Sequence, residues 1–322
     1  MSTGARAAAA GELAAAVIVP VYRESPERLA RCLQSALAQE RPRRLRVTVY
    51  LVSDDLCAHA PTLEHRGLRR LGTGRVGAGP SIARNLGLEH AIADGAQLCA
   101  LLDSDDWFEP DKLERMAPLA LEYGVAVDNA RIDFEPARPG APTRAGTWLV
   151  PPVDPAATDR RKDDAARLHP LEFFLGIDNP LWPVFRTDVL GDLRFLPQLR
   201  FSEDSLFNAC LVARAGGRAA WLPRALHHYR VRERSLSRSG DACANAEHAY
   251  ARIVDYLDDP AQLAWLSPAL RAQLLAAYQR KRRTNAAYAD WLGLPDHAGR
   301  SFQEFVASFA QPLSAAAGRA GT

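Results

Sequence analysis

The sequence predicts an α/β protein with a mostly parallel β-sheet flanked by helices. Three observations support this prediction. Short apolar runs alternate with segments of helical periodicity through the first part of the chain, as in sheets whose strands are joined by crossover helices. Two of the apolar runs end in clustered acids, "VSDD" and "LLDSDDW". After residue 240 the pattern is helical and shows no further strands.

The predicted elements follow in order along the chain. The run 15–22, "AAVIVPVY", predicts a buried strand, and Ser25 followed by Pro26 predicts the start of a helix. "LRVTVYLVSDD" and "AQLCALLDSDDW" predict the second and third strands. "PSIARNLGLEHAIADG", between them, predicts a helix that ends at Gly95, and "PDKLERMAPLALEYG" predicts another. The apolar residues that we expect to face the sheet from the first of these two helices are Ile82, Leu86 and Ile92.

The composition excludes several classes of protein. The chain has 322 residues and a formal net charge of +2, so nothing indicates bulk electrostatic binding to nucleic acid. No apolar run is long enough to span a bilayer, and no signal-peptide pattern precedes the first strand. The five cysteines are scattered without a C-x-x-C pair, which favours reduced thiols. We therefore expect a cytoplasmic protein.

A complete G-x-G-x-x-G occurs at Gly72, Gly74 and Gly77, which is the spacing of dinucleotide-binding loops. That spacing indicates NAD chemistry only where a buried strand leads into the glycines. Here the polar segment "EHRGLRRL" precedes them, and the loop after the first strand, "RESPERL", contains no glycine. We therefore interpret the glycines as a flexible connection into the helix that begins near Pro80.

Asp103 and Asp105 form a D-x-D at the point where an apolar strand leaves the core. Several carboxylates are costly to desolvate together unless a cation lies among them, and hard divalent cations prefer oxygen ligands. The motif therefore predicts a site for Mg²⁺ or Mn²⁺ that shares its coordination with phosphate oxygens. The alternative is a solvated turn in which Asp106 or Asp111 caps the next helix.

The histidines give weaker patterns. Cys57, His59 and His65 are poorly spaced for zinc and lack a fourth ligand, so a surface loop is the better interpretation. His227 and His228 are adjacent in a predicted strand, and their side chains must then point to opposite faces. At most one of the two is functional.

Six segments occur in a characteristic order: "VIVPVY", "VSDD", "GPSIARNLGL", "LLDSDDWFEPDKL", "SEDSLF" and "YRVRERSLSRS". In this arrangement, which runs from about Val17 to Ser239, the chain resembles the family 2 glycosyltransferases with the GT-A fold, particularly bacterial enzymes that build surface polysaccharides. The resemblance implies an inverting, metal-dependent sugar transfer. It also implies a nucleotide-diphosphate sugar as the donor and a glycan or glycolipid as the acceptor.

The resemblance further implies roles for individual residues. Asp54 would hydrogen-bond the nucleobase, Arg84 would lie near the nucleotide, and Asp103 would approach the ribose. Asp105 would hold the metal, and His228 is a second candidate ligand because a histidine near this point completes the metal site in some GT-A enzymes. The remaining donor-binding residues are Pro20, Tyr22, Ser104, Arg232 and Ser235.

Arg232 and Ser235 belong to a segment, "YRVRERSLSR", that is rich in guanidinium and hydroxyl donors. Such donors suit a diphosphate, so the segment predicts a lid over the leaving group. The alternative is a solvated edge.

The segment "FSEDSLFNACLVARAGG" predicts a helix that carries Glu203 and Asp204 at its N-terminus. The helix dipole at that end favours ionised carboxylates, which suits a base that accepts the proton of an acceptor hydroxyl. The alternative is that both acids only cap the helix. The family resemblance assigns the catalytic base to Asp204.

We divide the chain into a disordered or frayed N-terminus (1–14), a GT-A domain (15–240) and a C-terminal helical region (241–322). We expect residues 135–165 to form an irregular, Pro-rich loop within the GT-A domain. The basic run from Arg280 to Arg283 is most simply a favourable partner for a helix dipole. Contact with anionic lipid is the alternative, and it would place the protein at the inner face of the cell membrane.

Two other classes of function stay open. One is a catalytically inactive GT-A domain that binds sugar nucleotides, although Asp103, Asp105 and Asp204 are all present. The other is a nucleotidyltransferase, which normally carries a Gly-rich, basic loop after its first strand. The segment "RESPERL" does not fit that pattern.

Overall fold

The computed structural model describes residues 12–41, 44–55, 63–134, 144–148, 166–175, 182–231 and 241–294. Strands and helices alternate in the N-terminal part, as the sequence predicts. They are, in chain order, β1 (Leu13–Val21), α1 (Pro26–Leu37), β2 (Leu45–Ser53), β3 (Leu68–Gly72), α2 (Pro80–Ala93) and β4 (Leu98–Leu101).

The rest of the chain completes the sheet and adds helices around it. These elements are β5 (Trp107–Phe108), α3 (Lys112–Tyr123), β6 (Val125–Phe134), β7 (Arg144–Trp148), β8 (Arg167–Pro170), α4 (Leu171–Leu175), β9 (Val184–Arg186), α5 (Thr187–Leu190), α6 (Glu203–Arg214), β10 (Arg218–Val231), α7 (Ala242–Asp258) and α8 (Pro268–Leu292).

The strands form one mixed sheet with the order β3-β2-β1-β4-β9-β6-β10-β5. β1 pairs in parallel with β2 and β4, β2 pairs in parallel with β3, and β6 pairs in parallel with β10. The short strand β9 lies antiparallel between β4 and β6 and joins the two parallel parts. The prediction of a mostly parallel sheet flanked by helices is confirmed.

β1 contributes to a core on each face of the sheet, since successive side chains of a strand point to opposite faces. Ala16 and Ile18 pack with α2 residues on one face, and Val17 and Val19 pack on the other. On that second face lies α1, which begins as predicted: the Ser25 hydroxyl accepts a hydrogen bond from the Arg28 N–H, and Pro26 occupies the first turn. The residues that α1 buries are Leu29, Cys32, Leu33 and Ala36.

α2 packs through a different face from the one the sequence predicts. Ile92 is 39% exposed, so the expectation that it faces the sheet is wrong. Ile82 and Leu86 are half-buried, and Leu86 packs against the core. The residues that α2 buries are Ser81, Ala83, Arg84, Gly87, Leu88 and Ala91. Small residues on this face let the helix approach closely, because a Cβ atom on Gly87 would overlap the Ile18 side chain. The same face carries the buried Arg84.

β3 forms where the sequence analysis expects only a polar connection. Its five residues pair in parallel with β2 at the edge of the sheet, and Arg69, Arg70 and Gly72 are exposed. An edge strand has one neighbour and a solvated side, so it needs no apolar run. A strand therefore does precede the glycines, but it is an exposed edge strand and not the buried strand that leads into a dinucleotide-binding loop.

The C-terminal helices share a core with α6. Ile253 and Leu257 of α7 and Leu274 and Tyr278 of α8 are buried in the same hydrophobic cluster as Cys210. Within the basic run of α8, Arg282 Nε donates to Glu247 Oε1 of α7 at 2.9 Å. Among the described residues, every helix is too short or too polar to cross a bilayer.

The close approach of α2 to β1 gives a prediction about stability. Gly87→Ala is expected to lower the free energy of unfolding by about 1–3 kcal/mol, because the added methyl group overpacks the contact with Ile18. Gly72→Ala is the control, since a Cβ atom there meets nothing within 4 Å. Thermal denaturation of both variants measures the effect, and equal melting temperatures would contradict the proposed packing.

Candidate active site

The carboxyl ends of β1, β2 and β4 meet at one edge of the sheet, where the sequence predicts the active site. Val21 lies opposite Ser53 at the ends of β1 and β2, and Ile18 lies opposite Leu101 of β4. The acids at 54–55 and 103–106 follow two of these strand ends directly. In open α/β sheets ligands bind at this edge.

Asp54 organises the glycine loop. Its Oδ1 accepts hydrogen bonds from Thr73 Oγ1 and the Ala78 N–H, both at 2.8 Å, and its Oδ2 accepts from the Gly79 N–H at 2.8 Å. The backbone carbonyl of Asp54 also accepts from the Gly77 N–H at 2.9 Å. The side chain predicted to bind a nucleobase is thus buried and directed into this loop.

These contacts also decide the question of dinucleotide binding. A strand does lead into the glycines and α2 does follow them, as in a dinucleotide-binding loop. However, the amides at the start of α2 donate to the Asp54 carboxylate. A protein carboxylate therefore occupies the place where a pyrophosphate would meet the helix N-terminus. These contacts argue against dinucleotide binding, in addition to the lack of a buried strand before the glycines.

The end of β1 presents two of the predicted donor-binding residues. Pro20 is half-buried and Tyr22 is 46% exposed, so the tyrosine ring is accessible at the site edge. Arg23, the next residue, has a left-handed backbone with φ 51°. Its N–H donates to Asp55 Oδ2 at 2.9 Å, which ties the end of β1 to the end of β2. Non-glycine residues in this conformation concentrate at functional sites.

The D-x-D forms a turn between β4 and β5. Asp103, Ser104 and Asp105 are half-buried in this turn, whereas Asp106 points into the core. Asp106 Oδ1 accepts from the Arg230 N–H at 2.8 Å, and its Oδ2 lies 3.0 Å from His227 Nε2. Asp106 and His227 therefore link the turn to β10, a connection that the sequence analysis did not identify.

Negative charge accumulates around this turn. Burial, together with Asp105 and Asp103, raises the pKa of Asp106 well above its usual value. Burial also raises the pKa of Tyr229, and the carboxylates of Asp106, Asp103, Asp204 and Asp105 add to the shift. Carboxylates of the turn after β4 and of α6 thus raise the pKa of the same tyrosine.

Arg84 connects the D-x-D turn to α6. Its Nη2 donates to Asp103 Oδ1 at 2.7 Å and its Nη1 donates to Glu203 Oε1 at 2.8 Å. Burial alone lowers the pKa of Arg84, but the carboxylates of Asp103, Glu203 and Asp204 raise it above its usual value. The arginine predicted to lie near the nucleotide is therefore a buried bridge between two acids of the site.

α2 also holds the segment that leads to α6. Asn85 makes two hydrogen bonds with the backbone of Phe195, through its Nδ2 at 2.9 Å and its Oδ1 at 2.8 Å. Ser81 Oγ donates to the Leu199 carbonyl at 3.3 Å. One face of α2 therefore positions the approach to the predicted catalytic helix.

Asp204 lies in the first turn of α6, as predicted. Its Oδ1 accepts from the Ser205 N–H at 2.7 Å. Burial, followed by the charge of Glu203, raises the pKa of Asp204 to about 7, and Arg84 opposes the shift. The sequence analysis considered only the helix dipole, which favours the ionised form. Desolvation and the neighbouring carboxylates act in the opposite direction and raise the pKa of Asp204.

His228 has carboxylate partners at both ring nitrogens. Nδ1 lies 3.0 Å from Asp133 Oδ2 and Nε2 lies 2.6 Å from Glu109 Oε1, while the ring stacks on Trp107 at 4.5 Å. A histidine ligand must direct a lone pair at the metal ion, and neither nitrogen of His228 is available for that in this arrangement. His227 lies on the opposite face of β10, as predicted for adjacent residues of a strand.

A divalent cation fits the D-x-D turn better than it fits His228. The turn offers hard carboxylate oxygens in a region of accumulated negative charge. Within the described residues, no group of three or more His, Cys, Asp or Glu side chains is arranged to hold a metal ion. Protein ligands alone therefore do not complete a metal site in this part of the chain.

Arg232 and Ser235, predicted to form the lid, lie outside the described residues, as do Cys57 and His59.

The mixed sheet with its flanking helices has the GT-A fold. Crystal structures of TarS residues 1–349 from S. aureus share this fold. The complex with UDP gives a TM-score of 0.54 at 20% identity, over 86% of this chain and 75% of that one. The complex with UDP-GlcNAc gives a TM-score of 0.57 at 20% identity over the same shares.

Sequence comparison identifies the family. The family described as Glycosyl transferase family 2 matches residues 16–163. The succinoglycan biosynthesis protein ExoO of Rhizobium meliloti (strain 1021) is 32% identical over 250 residues, which are 73% of this chain and 67% of ExoO. The chain belongs to glycosyltransferase family 2 and is a glycosyltransferase.

The hydrogen bonds of Asp54 give a second prediction. Asp54→Ala leaves the N–H groups of Ala78 and Gly79 without their acceptor, and is expected to lower the free energy of unfolding by about 1–3 kcal/mol. Hydrogen exchange at these two amides should also accelerate. Asp188→Ala, which removes an exposed carboxylate, is the control. Unchanged exchange in Asp54→Ala would show that the loop does not depend on this side chain.

Proposed function

We propose that this glycosyltransferase transfers a sugar, with inversion, from a nucleotide-diphosphate donor to a hydroxyl group of a glycan or glycolipid in the synthesis of a surface polysaccharide. The observation that carries the proposal is the Arg84 bridge, which holds the D-x-D turn beside the helix that bears Asp204. Direct displacement needs such an arrangement, with phosphate-binding groups on one side and a base on the other. The similarity to ExoO supports the assignment to polysaccharide synthesis.

The donor would lie along the carboxyl ends of β1, β2 and β4. The exposed ring of Tyr22, next to Pro20, offers an apolar face to the nucleobase. Asp103 and Ser104 in the D-x-D turn would approach the ribose, and Arg232 and Ser235 would contact the diphosphate. The UDP and UDP-GlcNAc complexes of TarS make uridine nucleotides the first donors to test.

Asp105, with Asp103 beside it, would hold Mg²⁺ or Mn²⁺. A bound cation would neutralise the charge of the leaving diphosphate. His228 is not proposed as a ligand in this arrangement, because Asp133 and Glu109 engage its ring nitrogens.

Asp204 would act as the general base. Its carboxylate accepts the proton of the acceptor hydroxyl while that oxygen forms a bond to the anomeric carbon of the sugar. The bond between this carbon and the diphosphate oxygen breaks, and the electron pair leaves with the diphosphate. A pKa of about 7 suits this role, because the group is ionised near neutral pH and still binds a proton strongly enough to take it up.

The structure and the family argue against the nucleotidyltransferase alternative. β1 ends at Val21 and α1 begins at Pro26, so residues 22–25 leave no room for a phosphate-binding loop after the first strand. A catalytically inactive GT-A domain is the remaining alternative. An inactive domain would bind the sugar nucleotide without releasing the nucleoside diphosphate.

The role of the base is tested with Asp204→Asn, which changes the charge and hardly changes the shape. Transfer is expected to fall by about 10²-fold or more, with donor affinity near that of the unaltered chain. In the unaltered chain, kcat should rise with pH through about 7, because Asp204 accepts a proton only when it is ionised. The measurement is release of the nucleoside diphosphate from a panel of UDP-, GDP- and dTDP-sugars.

The control for this experiment is Asp192→Asn, which alters an exposed acid that pairs with Arg214. Its rate should match that of the unaltered chain. Transfer by Asp204→Asn at the full rate would show that Asp204 is not the base, and full rates in both Asp204→Asn and Glu203→Gln would exclude the inverting mechanism.

The metal requirement is tested separately. Asp105→Ala is expected to abolish turnover while the melting temperature stays close to that of the unaltered chain, and excess EDTA should have the same effect on turnover. Activity lost to EDTA should return on addition of Mg²⁺ or Mn²⁺. Full activity in EDTA would contradict the proposed role of the cation.

A further inference from the structure

We infer that Glu203 is a positioning residue, which holds α6 and thereby the Asp204 carboxylate in register with the D-x-D turn through Arg84. The inference rests on the function proposed above. It assigns different tasks to the two adjacent acids of the "SED" segment.

The first support is the geometry of the bridge. The Glu203 side chain is about 10% exposed and the Arg84 side chain 7%, so the ion pair between them is largely desolvated. A guanidinium group is planar and presents its N–H donors in a fixed fork, so a carboxylate bound at each end is also fixed relative to the other. Arg84 itself lies 5.3 Å from the centre of the Phe195 ring, whose backbone Asn85 holds. The bridge is therefore anchored on α2.

The second support is the N-terminus of α6. Ser202 occupies the cap position with φ 56°, a left-handed conformation that non-glycine residues rarely adopt. Its side chain makes no capping hydrogen bond. The usual local device that fixes the start of a helix is therefore missing. The contact between Glu203 and Arg84 supplies that restraint from another element.

The third support is the direction of the two side chains. Consecutive residues of an α-helix point about 100° apart, since each turn contains 3.6 residues. Glu203 points towards α2, where it meets Arg84, so Asp204 points to a different side. One acid can then hold the helix in place while its neighbour reaches the acceptor.

A double-mutant cycle tests the inference. The variants are Glu203→Gln, Arg84→Lys and the combination of the two. Arg84→Lys keeps the positive charge but loses the fork that spans both carboxylates. The assay measures release of the nucleoside diphosphate from the best donor of the UDP-, GDP- and dTDP-sugar panel. Water serves as the acceptor where no glycan is accepted. Rates are compared at about pH 9, where Asp204 is ionised in every variant. Differences in kcat at this pH then reflect the position of Asp204 and not its protonation.

Glu203→Gln is expected to lower kcat by roughly 10-fold while the KM for the donor stays within about 2-fold, because donor contacts are retained. If Glu203 acts through Arg84, the double variant should be no slower than the slower single variant. Multiplied effects of the two changes would overturn the inference, since they would mean that Glu203 acts independently. An unchanged kcat in Glu203→Gln would overturn it as well.

Glu89→Gln is the matched control. Glu89 also joins α2 to the segment before α6, through Arg194, but its side chain is 58% exposed and the two charged groups are 3.9 Å apart. Its kcat should equal that of the unaltered chain, and the melting temperatures of all variants show whether each is folded. If Asp204→Asn keeps full activity, or if no donor is turned over by the unaltered chain, the proposed function fails. If Asp204→Asn is inactive and the cycle is multiplicative, only the positioning role fails.

Discussion

The arrangement of the active site depends on one contact, the guanidinium group of Arg84 between Asp103 and Glu203. A buried arginine without partners would be strongly destabilising, so the two acids and the arginine stabilise one another only as a set. Each of them belongs to a different element: the turn after β4, the helix α2 and the helix α6. Three other features of the fold are compatible with these ion pairs. They are the face that α2 turns to the sheet, the path of the chain from Phe195 to Ser202 and the orientation of α6.

The parts of the fold that the sequence predicts are those fixed by local patterns. The Ser25 cap and Pro26 mark the start of α1, and an apolar run followed by acids marks the end of β4. The segment that contains Glu203 and Asp204 forms the helix α6, as predicted. In each case neighbours within a few residues determine the structure, so the pattern is visible without knowledge of the fold.

The parts that the sequence does not predict are fixed by residues that are distant in the chain. Arg84 and Glu203 are 119 positions apart in the sequence, and so are His228 and Glu109. No local sequence pattern therefore predicts either pair. α2 directs Arg84 at its partner and leaves the apolar residue Ile92 exposed, and the sequence pattern of the helix alone does not predict this rotation. The pKa of Asp204 follows from burial by the assembled fold, which helix position alone does not reveal.

The order of the strands has a consequence for synthesis on the ribosome. β10 pairs with β6 from Ala126 to Phe134. In the chain, however, β6 ends at Phe134 and β10 begins only at Arg218. At translation rates of about 5–20 residues per second, the edge of β6 that receives β10 waits roughly 5–20 s for its partner. During that interval the nascent chain exposes an unpaired strand edge, a feature that promotes aggregation.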